Sequence, residues 1–218
     1  MALTLPQLYD RIASLPEGGY LTVDSKLDPG YIYSLIHSAR AFVIAGRWMK
    51  ENNIPPIYYQ RYEPDFRKLA QEDSCFVRFN NFPSIIQLDG RSTGMGYVGV
   101  INGQPATFRE VDSRATMASY MTDRVMSIKR KPIVLVGNGF LEVYYHDKIK
   151  EFAIEAIFSD PTSVPSFNVD YDDYPVDMAD ISKIEAYITQ VDYAVSSRTA
   201  VDRVSNSRDE AALPTPRK

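Results

Sequence analysis

The residues able to do chemistry are few and poorly spaced for it. Gly94-Met95-Gly96-Tyr97-Val98-Gly99 matches the G-x-G-x-x-G pattern of phosphate-binding turns. Such turns bring backbone N–H groups at a helix N-terminus to a pyrophosphate. Here the glycines lead into extended sequence and then Asn102-Gly103, with no helix following. The lysine and catalytic-loop motifs of a kinase are missing as well, so the pattern reads as a Gly-rich turn before a strand. His37 and His146 are far apart, and neither stands in a metal-binding spacing with the lone Cys75. No G-x-S-x-G elbow marks a serine nucleophile. Asp170, Asp172 and Asp173 lack the central Gly and terminal Glu of a calcium loop and read as a solvated acidic loop. Lys129-Arg130-Lys131 precedes a strand and reads as a wet edge or a partner for acidic residues. No catalytic centre, cofactor site or metal site is expected.

Composition narrows the class further. The chain of 218 residues is 44% hydrophobic and 24% charged, which suits one folded domain with extensions. Its net charge of −4 argues against a general attraction to nucleic acid or anionic membrane. No apolar run reaches the eighteen or so residues of a membrane helix. Met1 to Pro6 has no basic region followed by an apolar block, so no secretory signal is expected. One cysteine excludes an internal disulfide and fits a reducing cytoplasm. Fifteen tyrosines and ten phenylalanines are suited to interfaces, because an aromatic ring buries area while the tyrosine hydroxyl tolerates water.

The longest element signal runs from Asp28 to Asn53. Asp28 is a good N-cap and Pro29 suits the first helical position. Ile32, Leu35, Ala39, Phe42, Ala45 and Met49 recur at spacings of three and four, widened by Ile36 and Val43. Arg40, Arg47 and Glu51 fall elsewhere on the wheel, with Lys50 at the stripe's edge. Gly46 lies within the stripe at a cost in helix propensity and leaves room for another backbone. Ile54-Pro55-Pro56 ends the helix. A stripe of about 35 Å must be covered by this chain or by a neighbouring copy.

Around it, Gln7 to Leu15 predicts a short helix carrying Leu8, Ile12 and Leu15. Ile57 to Arg67 reads as an irregular, apolar connector. From Cys75 the period changes to two: Cys75, Val77 and Phe79 alternate with Phe76 and Arg78. Ile85 to Leu88 runs extended. Asn102-Gly103 between Tyr97–Ile101 and Ala106–Phe108 predicts a hairpin, and Gly137-Asn138-Gly139 between Ile133–Val136 and Phe140–Tyr145 predicts a second. Ser113 to Met126 predicts a short helix with Ala115, Ala118, Met121 and Val125 in one band. Phe152 to Phe158 predicts a last strand. Asp160 to Asp177 is loop-like, and Ile181, Ile184, Ala186, Tyr187 and Ile188 predict an amphipathic helix to about Tyr193. The fold class is α+β: an N-terminal helical part (1–70), an antiparallel β-rich part (71–165), an acidic loop and C-terminal helix (166–195), and an extended arm (196–218) without a core of its own.

Tyr31-Ile32-Tyr33-Ser34-Leu35-Ile36, Ala39-Arg40-Ala41, Asp73-Ser74-Cys75, Ile154-Glu155-Ala156-Ile157-Phe158-Ser159-Asp160-Pro161 and Tyr174-Pro175-Val176 with the helix after it resemble the ring or adaptor proteins in the neck of crAss-like short-tailed bacteriophages. The resemblance runs from about Leu27 to Tyr193. It implies a structural, non-enzymatic head-to-tail connector in the virion, assembled in the host cytoplasm as a homo-oligomeric, typically twelvefold ring beneath the portal protein. Such a ring extends the DNA channel and carries other neck and tail rings. DNA passes without specific binding, and no membrane is involved. The C-terminal segment reaches a neighbour, so Arg198, Val201, Arg203, Val204, Arg208 and Leu213 become the residues expected to touch portal or an adjacent subunit. The rival expectation is a small β-rich carbohydrate- or receptor-binding module of a virion.

Overall fold

The computed structural model describes residues 3–14, 28–64, 70–73, 76–89, 92–100, 108–111, 113–122, 132–137, 139–144 and 151–191. Helix α1 is Leu5–Ala13 and α2 is Pro29–Glu51. Three strands follow: β1 (Gln60–Tyr62), β2 (Ala70–Asp73) and β3 (Phe76–Asn80). Then come β4 (Met95–Val100), β5 (Arg109–Val111), α3 (Arg114–Thr122), β6 (Ile133–Gly137), β7 (Phe140–Tyr144) and β8 (Phe152–Ala156). Helix α4 covers 178–191. The architecture is α+β, as the pattern of periods predicts.

Helix α2 starts where its cap residues require. The Asp28 carboxylate accepts the Gly30 N–H at 3.1 Å, and Pro29 occupies the first turn, where its missing N–H costs nothing. The helix stops at Asn52, which takes a left-handed conformation (φ 49°) and donates its N–H to Trp48 O at 2.8 Å. Its buried face is Ile32, Ile36, Ala39, Arg40, Val43 and Ile44, rotated from the predicted stripe. Phe42 is 62% and Met49 73% exposed, whereas Arg40, expected on another side, is completely buried. The stripe spans a wide arc, and α1 and α4 cover only one part of it.

Two sheets follow. One has the order β1-β8-β4 and the other β2-β3-β7-β6-β5. The second predicted hairpin is present: β6 and β7 pair antiparallel with Gly137 opposite Phe140, and Gly139 takes φ 76° in the turn, a conformation that favours glycine. In the first, Phe108 N–H donates to Val98 O at 3.0 Å, and β4 also pairs with β8 from Met95↔Ala156 to Val100↔Phe152. Asn102-Gly103 itself lies outside the described residues. Strand β5 runs parallel to β6, and the connection between them contains α3, as a parallel pair requires a crossover. The expected α3 band is not a buried one, since Ala115 and Ala118 are exposed; instead Tyr120 packs on the sheet beside Val111, Ile133 and Tyr144. β1 replaces part of the expected irregular connector. Only three residues long, it is specified by its distant partner β8 and leaves no local period to read.

The run Phe152–Phe158 is buried on both faces, broken only by the exposed Glu155. Phe152, Ile154, Ala156 and Phe158 join a cluster with Tyr62, Phe79 and Leu141, while Ile157 joins Leu8, Ile36, Ile44, Tyr58, Ile181 and Ile184. One strand thereby links the helical cluster to the β cluster. In α4, Ile181, Ile184 and Ile188 are buried as predicted, but Ala186 is exposed.

Candidate functional site

The glycine pattern can be assigned first. A Cβ on Gly94 would meet Ile157 Cβ at 3.0 Å, and one on Gly96 would meet the Tyr59 ring at 2.6 Å. Gly94 also exchanges hydrogen bonds with its surroundings: its N–H donates to Ile86 O at 2.7 Å, and its O accepts Ile157 N–H at 2.8 Å. These glycines admit close packing against β8 and Tyr59. A strand, not a helix N-terminus, follows them, so no phosphate cradle is built.

The polar groups that are brought together are structural pins. Arg40 donates from Nε to Pro175 O (2.8 Å), from Nη1 to Phe158 O (2.8 Å) and from Nη2 to Tyr58 O (3.2 Å). Its guanidinium also lies 5.7 Å from the centre of the Tyr174 ring, a cation–π distance. Burial lowers the Arg40 pKa, opposed by Tyr174, Tyr58 and Asp160. One guanidinium therefore ties α2 to the turn after it, to the end of β8 and to the loop before α4.

A second pin lies one face away. Asp180, 1% exposed, accepts the Tyr58 hydroxyl, Arg47 Nη1 at 3.1 Å and Lys183 Nζ at 2.5 Å. Burial pushes its carboxyl up, but Lys183, Tyr58 and Arg47 together outweigh that, and the net shift is downward. Burial and the Asp180 bond raise the Tyr58 hydroxyl. His37 Nδ1 lies 2.7 Å from the Tyr174 hydroxyl, and its Nε2 lies 3.4 Å from Asp160. Burial lowers the His37 pKa; Asp160 opposes that and Arg40 adds to it. In the second sheet the completely buried Glu142 accepts Arg114 Nη2 and the Tyr144 hydroxyl, both at 2.7 Å. Each of these charged groups meets neighbours from its own chain. Among the described residues no group of three or more His, Cys, Asp and Glu is placed to hold a metal ion, and no helix is long and apolar enough to cross a membrane.

The surface carries the features that the interior does not explain. Phe42 and Met49 stand out along α2, and Phe42 stacks on Tyr187 of α4 at 4.8 Å. A Cβ at Gly46, between them, would touch nothing within 4 Å; the close backbone approach its sequence position suggested is not supplied by the described residues. A tight turn at 168–172, held by Asn168 N–H to Asp172 Oδ2 (2.6 Å) and Asp172 N–H to Asn168 O (2.9 Å), presents Tyr171 at 83% exposure. Asp170, Asp172 and Asp173 are exposed around it. The predicted contact residues Arg198, Val201, Arg203, Val204, Arg208 and Leu213 lie outside the described residues, as do Cys75, Lys129, Arg130, Lys131 and His146. Sequence reasoning missed the exposed Tyr171, whose setting in an acidic turn was the available signal.

Buried side chains pin the segments together, and a long helix with an open apolar edge and an exposed aromatic turn leave surfaces that can be shared. The chain matches the family model of phage tail ring protein 2 over residues 7–211. It belongs to that family and is a ring component of a phage tail. The match extends the expected resemblance at both ends, into α1 and beyond Tyr193. No curated protein matches it.

Proposed function

We propose that this chain is a head-to-tail connector subunit, a structural and non-enzymatic part of the virion neck that assembles in the host cytoplasm. Copies close into a ring, twelve to a circle, below the portal. The ring lengthens the DNA channel and gives later tail proteins a platform. The four-part division at residues 70, 165 and 195 belongs to this reading, with the arm from 196 to 218 docking on portal or on an adjacent subunit through Arg198, Val201, Arg203, Val204, Arg208 and Leu213. DNA passes without specific binding, which fits a net charge of −4, since tight phosphate contacts would hinder passage.

The observation that carries the reading is the α2 edge. A member of a tail ring family leaves Phe42 and Met49 exposed along the longest of the described helices, an apolar edge of the kind that supports contact with another chain. Negative-stain imaging of the purified protein, alone and mixed with its portal, tests it. Closed rings of one copy number stacked on portal are expected. Persistent monomers under both conditions refute the connector role, and binding to glycans by such monomers would favour the carbohydrate module.

A further inference from the structure

Gly46 is a residue that the described part of the chain does not account for. Glycine in a helix interior costs about 1 kcal/mol relative to alanine, and a retained one commonly makes room for a close neighbour. Within the described residues there is no such neighbour, because an added Cβ would meet open space. The surroundings of that space are specific. At about 100° per residue, Phe42 and Met49 lie within about 60° of Gly46 on the helix wheel, so the glycine forms a notch between two exposed apolar side chains. Leu35 and Tyr31 continue the same edge toward the N-terminus. Tyr31 is 44% exposed. The edge from Tyr31 to Met49 is about 27 Å long, and with the adjoining α4 about 20 Å wide. That is roughly 500 Å², more than half of the ~800 Å² each partner contributes to a standard interface.

A ring contact is heterologous, so each subunit needs a second, different patch facing away from the first. His37 lies about 140° around α2 from Phe42, and its Nδ1 is 2.7 Å from the hydroxyl of Tyr174, two residues beyond the 168–172 turn. This places the acidic turn on the opposite flank of α2. That turn offers a single ring, Tyr171, at 83% exposure, with three carboxylates that form no ion pair among the described residues. The segment around it is strongly acidic: residues 151–192 hold ten Asp and Glu against Lys183 alone, on a chain whose total charge is −4. On the notch side, Lys50 follows Met49, is exposed and makes no ion pair among the described residues.

We propose that the Phe42–Gly46–Met49 notch of one subunit receives the Tyr171 turn of the next copy around the ring, with Lys50 facing the carboxylates of that turn. This inference rests on the ring reading above and names its lateral contact. An aromatic side chain seated where a helix lacks a Cβ can approach the backbone closely, and the flanking apolar residues exclude water from the contact. The same pair of patches, repeated by rotation, closes the circle.

The test uses the full chain. Gly46→Leu fills the notch and leaves the fold intact, so circular dichroism and melting temperature stay at or above wild type, while rings fall at least tenfold at equal concentration. Gly46→Ala raises the melting temperature of the unassembled chain by about 2–4 °C and weakens assembly. In a Cys75→Ser background, the pair Gly46→Cys and Tyr171→Cys gives an oxidative ladder extending to the full ring, and neither single variant does. Wild-type-like rings from Gly46→Leu, or rings of the double-cysteine variant that give no ladder, overturn the contact. If wild type itself forms no rings with or without portal, the connector reading fails first and the contact with it.

Discussion

Replacing Arg40 with Met tests how the helical part is held together. The substitution keeps the apolar stem, roughly conserves volume and deletes only the guanidinium. Three carbonyls, those of Tyr58, Phe158 and Pro175, then lose their donor at a site where Arg40 is completely buried. An unsatisfied buried polar group costs about 1–3 kcal/mol, so three together amount to roughly 3–9 kcal/mol. Relief of the burial penalty on the cation offsets part of that, and about 3–5 kcal/mol of lost stability remains. Urea denaturation followed by circular dichroism measures it as a lower midpoint at unchanged slope. Arg40→Lys should recover little, because one ammonium cannot reproduce three donors set in a planar fork. A loss below about 1 kcal/mol for Arg40→Met would refute the idea that this side chain pins the turn after α2, the end of β8 and the loop before α4.

Other outcomes follow from the same geometry. Acid should act in two separate windows. The folded pKa of His37 lies below its ordinary 6.5, so its contribution is complete above that value and declines as pH falls from 6.5 toward the folded pKa. A His37→Gln variant should lose this part of the pH dependence in chemical denaturation. The folded pKa of Asp180 lies below 3.8, so its contribution is present above that value and is lost as pH falls through the folded pKa; Asp180→Asn should flatten the acid limb below pH 4. Gly139→Ala adds a side chain at φ 76° where space is open, so the cost is backbone strain alone, about 1 kcal/mol, read as a shift in melting temperature of about 2–4 °C. Deleting residues 196–218 should leave the melting temperature within about 1 °C while abolishing portal binding. Unchanged binding would remove the arm from the docking surface.

Much of this protein follows from local sequence, because the signals involved are local. Asp28, Pro29 and the Ile54-Pro55-Pro56 stop act within a turn or two of themselves, so α2 begins and ends where they place it. The Gly137-Asn138-Gly139 turn needs only neighbouring residues, and β6 and β7 pair across it. The scarcity of catalytic residue types was legible too, since the chain has two histidines and one cysteine. Periodicity, however, gives the width of an apolar stripe without saying which part of it is covered. Only packing against α1 and α4 decided that Ile36 and Ile44 would be buried and that Phe42 and Met49 would remain outside. Charge misleads for a related reason: Arg40 and Glu142 look like surface residues on their own elements, and become core residues because carbonyls from three distant segments, or Arg114 from a crossover helix, arrive to satisfy them. The pairing of β4 and β1 with β8, and the close approach of Tyr59 that makes Gly96 necessary, are likewise contacts across long sequence separations. No window of sequence contains both partners of such a contact, and so only the tertiary structure could decide them.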